Sequence, residues 1–157
     1  CASSPKQNNT MENSKFQGSG TPLVIAAGTF VNGYSTTTLN GIVIRGARAY
    51  GIDVSSFSRF DIGGSIITGS ATYNIWVRYF GYMNLRGKSE VSYAGGDGIR
   101  LDGHSEIYNA GSGSQVNNNG GWGLNAINLS YSISGMALSY TGNTSGTYTA
   151  DASSKNT

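Results

Sequence analysis

The residues best suited to do chemistry are Asp53 and Asp102, which bracket Trp76 and share the chain with Arg78, Arg100 and Asn125. An indole among carboxylates, guanidinium groups and an amide suits a sugar, whose apolar ring face stacks on an aromatic and whose hydroxyls need fixed donors and acceptors. Two carboxyl groups about 5 Å apart support glycosidic cleavage with retention, and about 6.5–9.5 Å apart with inversion. Asp53 and Asp102 would come close to the upper distance if two turns of a stacked fold separated them. Asp97, Asp102 and Glu106 surround the single histidine, His104, as an alternative acid/base group. Arg78 or Arg100 could pair with an acidic sugar. Asp53, Arg78, Arg100 and Asp102 could equally form a cross-strand charge ladder, with Trp76 buried against a sister chain.

What must position these residues is a repeat. Gly51-Ile52, Asn74-Ile75, Gly98-Ile99 and Gly123-Leu124 are equivalent openings whose aliphatic residues lie 23, 24 and 25 residues apart. Such a near-constant period marks stacked units. Counting back one period puts an earlier opening at Phe30 or Val31, which makes five rungs of 23–25 residues. A second apolar cluster follows in each rung, at Leu39, Phe60 with Ile62, Met83 with Leu85, Ile107, and Ser132 with Ile133. A third falls at Ile42 with Ile44, Ile66 with Ile67, Val91, Val116 and Leu138. Three short strands per rung are therefore expected.

Successive strand residues face opposite ways. If Ile52 and Val54 point inward, then Ile75 and Val77, Ile99 and Leu101, and Leu124 and Ala126 stack on them. Asp53, Trp76, Arg100 and Asn125 then form one outward column, and Ser55, Arg78, Asp102 and Ile127 the next. Tyr50, Tyr73 and Trp122 precede three openings, with Asp97 in the fourth, and could be a sugar platform or pack at a corner or subunit contact. Gly, Asn and Ser between the strands supply corners that tolerate positive φ. The expected architecture is all-β, a right-handed parallel β-helix over residues 29–144. Segment 1–28 is expected as an extended lead-in or cap, and 145–157 as a tail or cap, because an open solenoid end needs covering.

Composition narrows the function. Of 157 residues only 11% are charged, 24 are Gly, and the formal net charge is +2. That leaves no basic field for gripping a phosphate backbone, so nucleic acid is not an expected partner. One cysteine and one histidine suggest no metal or other cofactor. No apolar run approaches the roughly 18 residues of a membrane span. Cys1 followed by Ala2-Ser3-Ser4 is compatible with a lipoprotein terminus or with a cut from a longer chain.

The Gly-Ile-x-Val/Leu openings at 51–54 and 98–101, the Asn-rich corner before Gly121-Trp122-Gly123-Leu124 and the closing Ser-Tyr-Thr-Gly-Asn-Thr at 139–144 carry a resemblance. The sequence resembles the right-handed parallel β-helices of bacteriophage tailspikes and tail fibres, which share their architecture with pectate lyases. That resemblance implies a homotrimer on a virion tail that binds, and often depolymerises, a host surface polysaccharide. The rung grammar is shared by bacterial surface adhesins and secreted polysaccharide lyases or hydrolases, so those alternatives stay open. No catalytic motif transfers residue by residue.

Overall fold

The protein is described by a computed structural model covering residues 9–10, 15–17, 23–26, 30–33, 36–109, 113–134 and 138–156. Among these residues there is no helix. The described residues include twenty short strands, which form three parallel sheets of seven, seven and six strands.

The first sheet joins β1 (Asn9–Thr10), β4 (Phe30–Gly33), β7 (Tyr50–Ser55), β10 (Tyr73–Arg78), β13 (Ile99–Asp102), β16 (Trp122–Ala126) and β19 (Gly146–Ala150). The second joins β2 (Lys15–Gln17), β5 (Thr36–Asn40), β8 (Arg59–Gly63), β11 (Tyr82–Arg86), β14 (Glu106–Asn109), β17 (Tyr131–Ser134) and β20 (Lys155–Asn156). The third joins β3 (Leu23–Ala26), β6 (Ile42–Arg45), β9 (Ile66–Thr68), β12 (Glu90–Ser92), β15 (Gln115–Asn117) and β18 (Ser139–Thr141). Each strand pairs with the strand three places along the chain, which is the topology of a parallel β-solenoid. Four turns, from β7–β9 to β16–β18, carry the side chains that matter below.

The expected register holds across these turns. Ile75 lies opposite both Ile52 and Ile99, and Ile99 opposite Leu124. These residues, with Val54, Val77, Leu101 and Ala126, are buried and join Phe60, Ile62, Met83, Leu85, Ile67, Val91 and Val116 in one axial core. Earlier in the chain the register puts Phe30, not Val31, opposite Ile52. In the third sheet only one of Ile66 and Ile67 faces inward. Ile67 is buried, while Ile66 is exposed. Leu138 precedes β18, and the residue opposite Val116 is Tyr140. Tyr148 likewise lies opposite Leu124, so the last rung puts amphipathic rings where earlier rungs have aliphatic side chains. Burial, aided by Tyr148, pushes the Tyr140 phenol up to about 12.

The corners are held by polar ladders, because a backbone group turned out of the sheets still needs a partner. Between the first and second sheets stand Ser58, Ser105, Ser130 and Ser154, all buried. The Ser105 N–H donates to Ser130 Oγ at 3.3 Å, and the Ser130 N–H donates to Ser154 Oγ at 3.1 Å. Ser130 Oγ in turn donates to the Ile127 carbonyl at 2.7 Å. Ser65, Ser89 and Ser114 repeat the device at the next corner. The third corner uses amides: Asn74 Nδ2 donates to Asn119 Oδ1 at 3.2 Å, and Asn119 Nδ2 to Asn143 Oδ1 at 2.8 Å.

Asn119 also accepts the Ala94 N–H at 2.9 Å, so Asn119→Ala would leave several buried groups unpaired. Chemical denaturation is expected to show a loss of about 2–4 kcal/mol. Asp151 closes the last described rung by accepting the Asn128 N–H at 2.7 Å and both the N–H and hydroxyl of Ser153. The Asn128 N–H, with the hydroxyls of Ser153 and Ser154, holds the Asp151 carboxyl down to about 2. Because the folded value lies below the unfolded one, its contribution to stability is complete above about pH 4 and disappears as the pH falls through 2. The Asn128 amide resonance should titrate with a midpoint near pH 2; a midpoint near 4 would contradict this role.

Candidate functional site

The outer face of the first sheet gathers most of the residues singled out from the sequence. Trp76 lies opposite Asp53 on one side and Arg100 on the other, and Arg100 lies opposite Asn125, so the first outward column forms as expected. Arg78 lies between Ser55 and Asp102 in the second. Ile127 extends this column past β16, its N–H donating to the Leu101 carbonyl at 3.0 Å.

The side chains then reach across columns. Arg78 Nε donates to Asp53 Oδ1 at 3.1 Å and Arg78 Nη2 to Asp53 Oδ2 at 2.8 Å, a bidentate pair spanning one rung and one column. Although Asp53 points outward, this contact leaves only 5% of the residue exposed. Burial lowers the basicity of Arg78, but the hydrogen bond and charge of Asp53 outweigh it and hold the guanidinium above its ordinary value. The same guanidinium lies 4.0 Å from the Trp76 ring centroid and 5.3 Å from that of Tyr79. Tyr50 packs on Trp76 at 4.6 Å and stacks on Tyr73 at 5.7 Å, and Arg100 lies over Tyr73 at 5.3 Å. Trp76 and Tyr73 therefore each contact a neighbouring ring and a guanidinium, and both are half-buried. They consolidate the face more than they offer a free platform.

Asp97 is the second hub. Its Oδ1 accepts the Trp122 N–H at 2.9 Å, and its Oδ2 accepts the Asn125 amide at 2.9 Å and Arg100 Nη1 at 3.2 Å. It is 6% exposed. Trp122, one rung beyond Asp97, lies opposite Gly146, where a Cβ would come within 2.8 Å of the indole.

The acid group expected around His104 divides between faces. Asp97 is tied to the first sheet. Glu106 opens β14 in the second, between Tyr82 and Tyr131, in a column where Arg59 lies over the Tyr82 ring at 4.9 Å. Asp102 accepts the Asn128 amide through Oδ1 at 2.7 Å and is half-buried. Asp53 and Asp102 stay on one face, but both oxygens of Asp53 are engaged by Arg78.

A stacked row of exposed rings was not among the residues expected from the sequence. At the corner between the first two sheets, Phe57 stacks on Phe80 at 4.9 Å and 4°, and Phe80 stacks on His104 at 4.9 Å and 15°. Phe57 is 70% exposed, Phe80 50% and the adjoining Tyr79 56%. Leu129 continues the row, also exposed. All four row positions have left-handed backbone, with φ between 60° and 63°, and so do the residues before them, Ser56, Tyr79, Gly103 and Asn128. Their N–H groups stay satisfied: Phe80 N donates to the Gly103 carbonyl at 3.0 Å and His104 N to the Asn128 carbonyl at 2.9 Å. A bulky residue in this conformation costs about 1–2 kcal/mol, and a ring pair returns about 0.5–1.5 kcal/mol. Stacking thus offsets only part of the strain. The signal was present in the sequence, since positions 57, 80, 104 and 129 follow the same 23, 24 and 25 spacing as the strand openings.

The chain is thus a parallel β-solenoid with an aromatic corner beside a charge-paired sheet face. No protein-family model matches it, no curated protein matches it in sequence, and no solved structure matches it.

Removing the charge on Asp53 tests the charge-paired half of this surface. Asp53→Asn should cost about 1–3 kcal/mol in urea unfolding, toward the lower end because Arg78 can still reach water. An unchanged midpoint would show that the pair contributes nothing.

Proposed function

We propose that this chain is the receptor-binding part of a trimeric phage tailspike or tail fibre, and that it binds host surface polysaccharide along the first sheet and its aromatic corner. The observation that carries the reading is the row Phe57–Phe80–His104, flanked by Tyr79: exposed rings held on a rigid backbone at a cost that their own stacking does not repay. Strained, exposed positions of this kind point to function more than to folding. Beside the rings, Asp102 and Asn128 offer polar groups that can meet sugar hydroxyls. The resemblance of the rung sequence to phage β-helices supports the virion setting and the three-chain assembly.

Binding without cleavage fits the chemistry better than cleavage by the pair Asp53 and Asp102. A general acid and its partner both need an oxygen that the substrate can reach. Asp53 gives both of its oxygens to Arg78, and Asp97 gives both to Arg100, Asn125 and the Trp122 N–H.

Phe80→Gly is the discriminating variant, because glycine takes φ 62° without strain while the ring is lost. On an array of bacterial capsular and O-antigen polysaccharides, the unaltered chain should bind at least one glycan. Phe80→Gly should weaken that binding about tenfold, the effect of about 1.4 kcal/mol, with a melting temperature close to that of the parent. Equal binding by the variant would move the site elsewhere. Release of reducing ends would restore the depolymerase reading, and a monomeric mass in sedimentation would remove the trimeric one.

A further inference from the structure

On the reading that this surface holds a glycan, we infer that its ligand is an uncharged polysaccharide and not one bearing uronate, sialate or phosphate groups. The sequence alone leaves Arg78 and Arg100 available to an acidic sugar. The structure gives each of them an internal carboxylate partner. Arg78 places Nε and Nη2 on the two oxygens of Asp53, and Arg100 places Nη1 on Asp97 Oδ2. Rings lie against both guanidinium groups, Trp76 and Tyr79 at Arg78 and Tyr73 at Arg100.

An acidic ligand competing for Arg78 would have to separate it from a carboxylate whose side chain is only 7% exposed. Asp53 would then be left nearly buried without a counter-charge, the costly half of breaking a buried ion pair. Asp97, at 9% side-chain exposure, would likewise lose its counter-charge, though it would keep the Trp122 N–H and the Asn125 amide. Nor do the charges of the sheet face itself favour anions. Asp53, Asp97 and Asp102 stand against Arg78 and Arg100, three carboxylates to two guanidinium groups, with His104 at the corner and Arg59 beyond it turned to Tyr82 and Asp61 of the second sheet. A polyanion running along the axis meets this excess of negative charge over successive rungs. A neutral sugar meets no such opposition. The exposed edges of Phe57, Tyr79 and Phe80 accept its apolar patches, while Asp102 and Asn128 serve its hydroxyls.

The test ranks neutral against acidic polysaccharides on the same array of capsular and O-antigen glycans, using the whole chain at 50 and 500 mM NaCl. The expected result is that the tightest ligands are neutral, at least tenfold tighter than any acidic one, with affinity changing no more than about twofold between the two salt concentrations. Acidic glycans binding as tightly or more tightly, and losing affinity at high salt, would overturn the inference and leave the glycan reading standing. Absence of all glycan binding would remove both. Asp53→Asn adds an independent arm: by releasing Arg78, it should raise affinity for alginate at least tenfold over the parent. If that variant does not fold, the ranking on the unaltered chain decides.

Discussion

The in-register stacking of parallel strands is the constraint on which everything else in this molecule depends. Neighbouring strands lie about 4.8 Å apart, so each side chain has its own counterparts directly above and below. Inside, this costs nothing, and the column Ile52, Ile75, Ile99 and Leu124 repeats one choice at every rung. Outside, it forbids repetition of charge. Two like charges at that spacing repel by roughly 3 kcal/mol at the effective dielectric of a protein surface. The outward column accordingly runs Asp53, Trp76, Arg100, Asn125, with no charge directly above its like. Charges find partners diagonally, as Arg78 does with Asp53.

Stacking sets the corners by the same logic, but there the backbone must be satisfied as well as the side chains. A serine hydroxyl solves both problems at once, accepting an N–H from the rung before and donating to a carbonyl of its own rung, as Ser130 does with Ser105 and Ile127. An asparagine amide, being neutral and two-sided, can stack on itself, which the chain Asn74, Asn119, Asn143 exploits. Such ladders let a chain with 11% charged residues and little helix-forming material hold a narrow core. They also keep the corner backbone in left-handed conformations, where the side chain is thrown outward, and so they create the exposed row of rings.

The period made the inner columns legible, because inward positions admit few residue types and those recur at constant spacing. Outer columns could be aligned on the same grounds. Three things were hidden. The reach of Arg78 to Asp53 joins residues that face Ser55 and Trp76 in register, and only side-chain geometry reveals a contact that crosses columns. The ring row at 57, 80, 104 and 129 keeps the period but changes type from Phe to His to Leu, in corners where Gly, Asn and Ser were the expected occupants. Its strain does not register in composition, since a phenylalanine at φ 60° reads like any other. The division of Asp97 from Glu106 was hidden for a related reason. Nine residues in sequence carry the chain from one sheet of the solenoid to the next, so closeness along the chain does not mean a shared face.

On the proposed glycan-binding reading, a linear ligand suits this architecture. Each rung offers one ring or one polar group, and a single ring contact is worth only about 1 kcal/mol. No rung alone would hold a sugar. Contacts that repeat along one axis engage a polymer several units at a time, so that after the first unit binds the rest do so at high effective concentration. The backbone, locked by the serine and asparagine ladders, is already in place, so little ordering of the protein opposes that binding. On that reading, the strain at Phe57, Phe80 and His104 is a cost met once in folding, and the rigidity it accompanies would serve every rung a polymer touches.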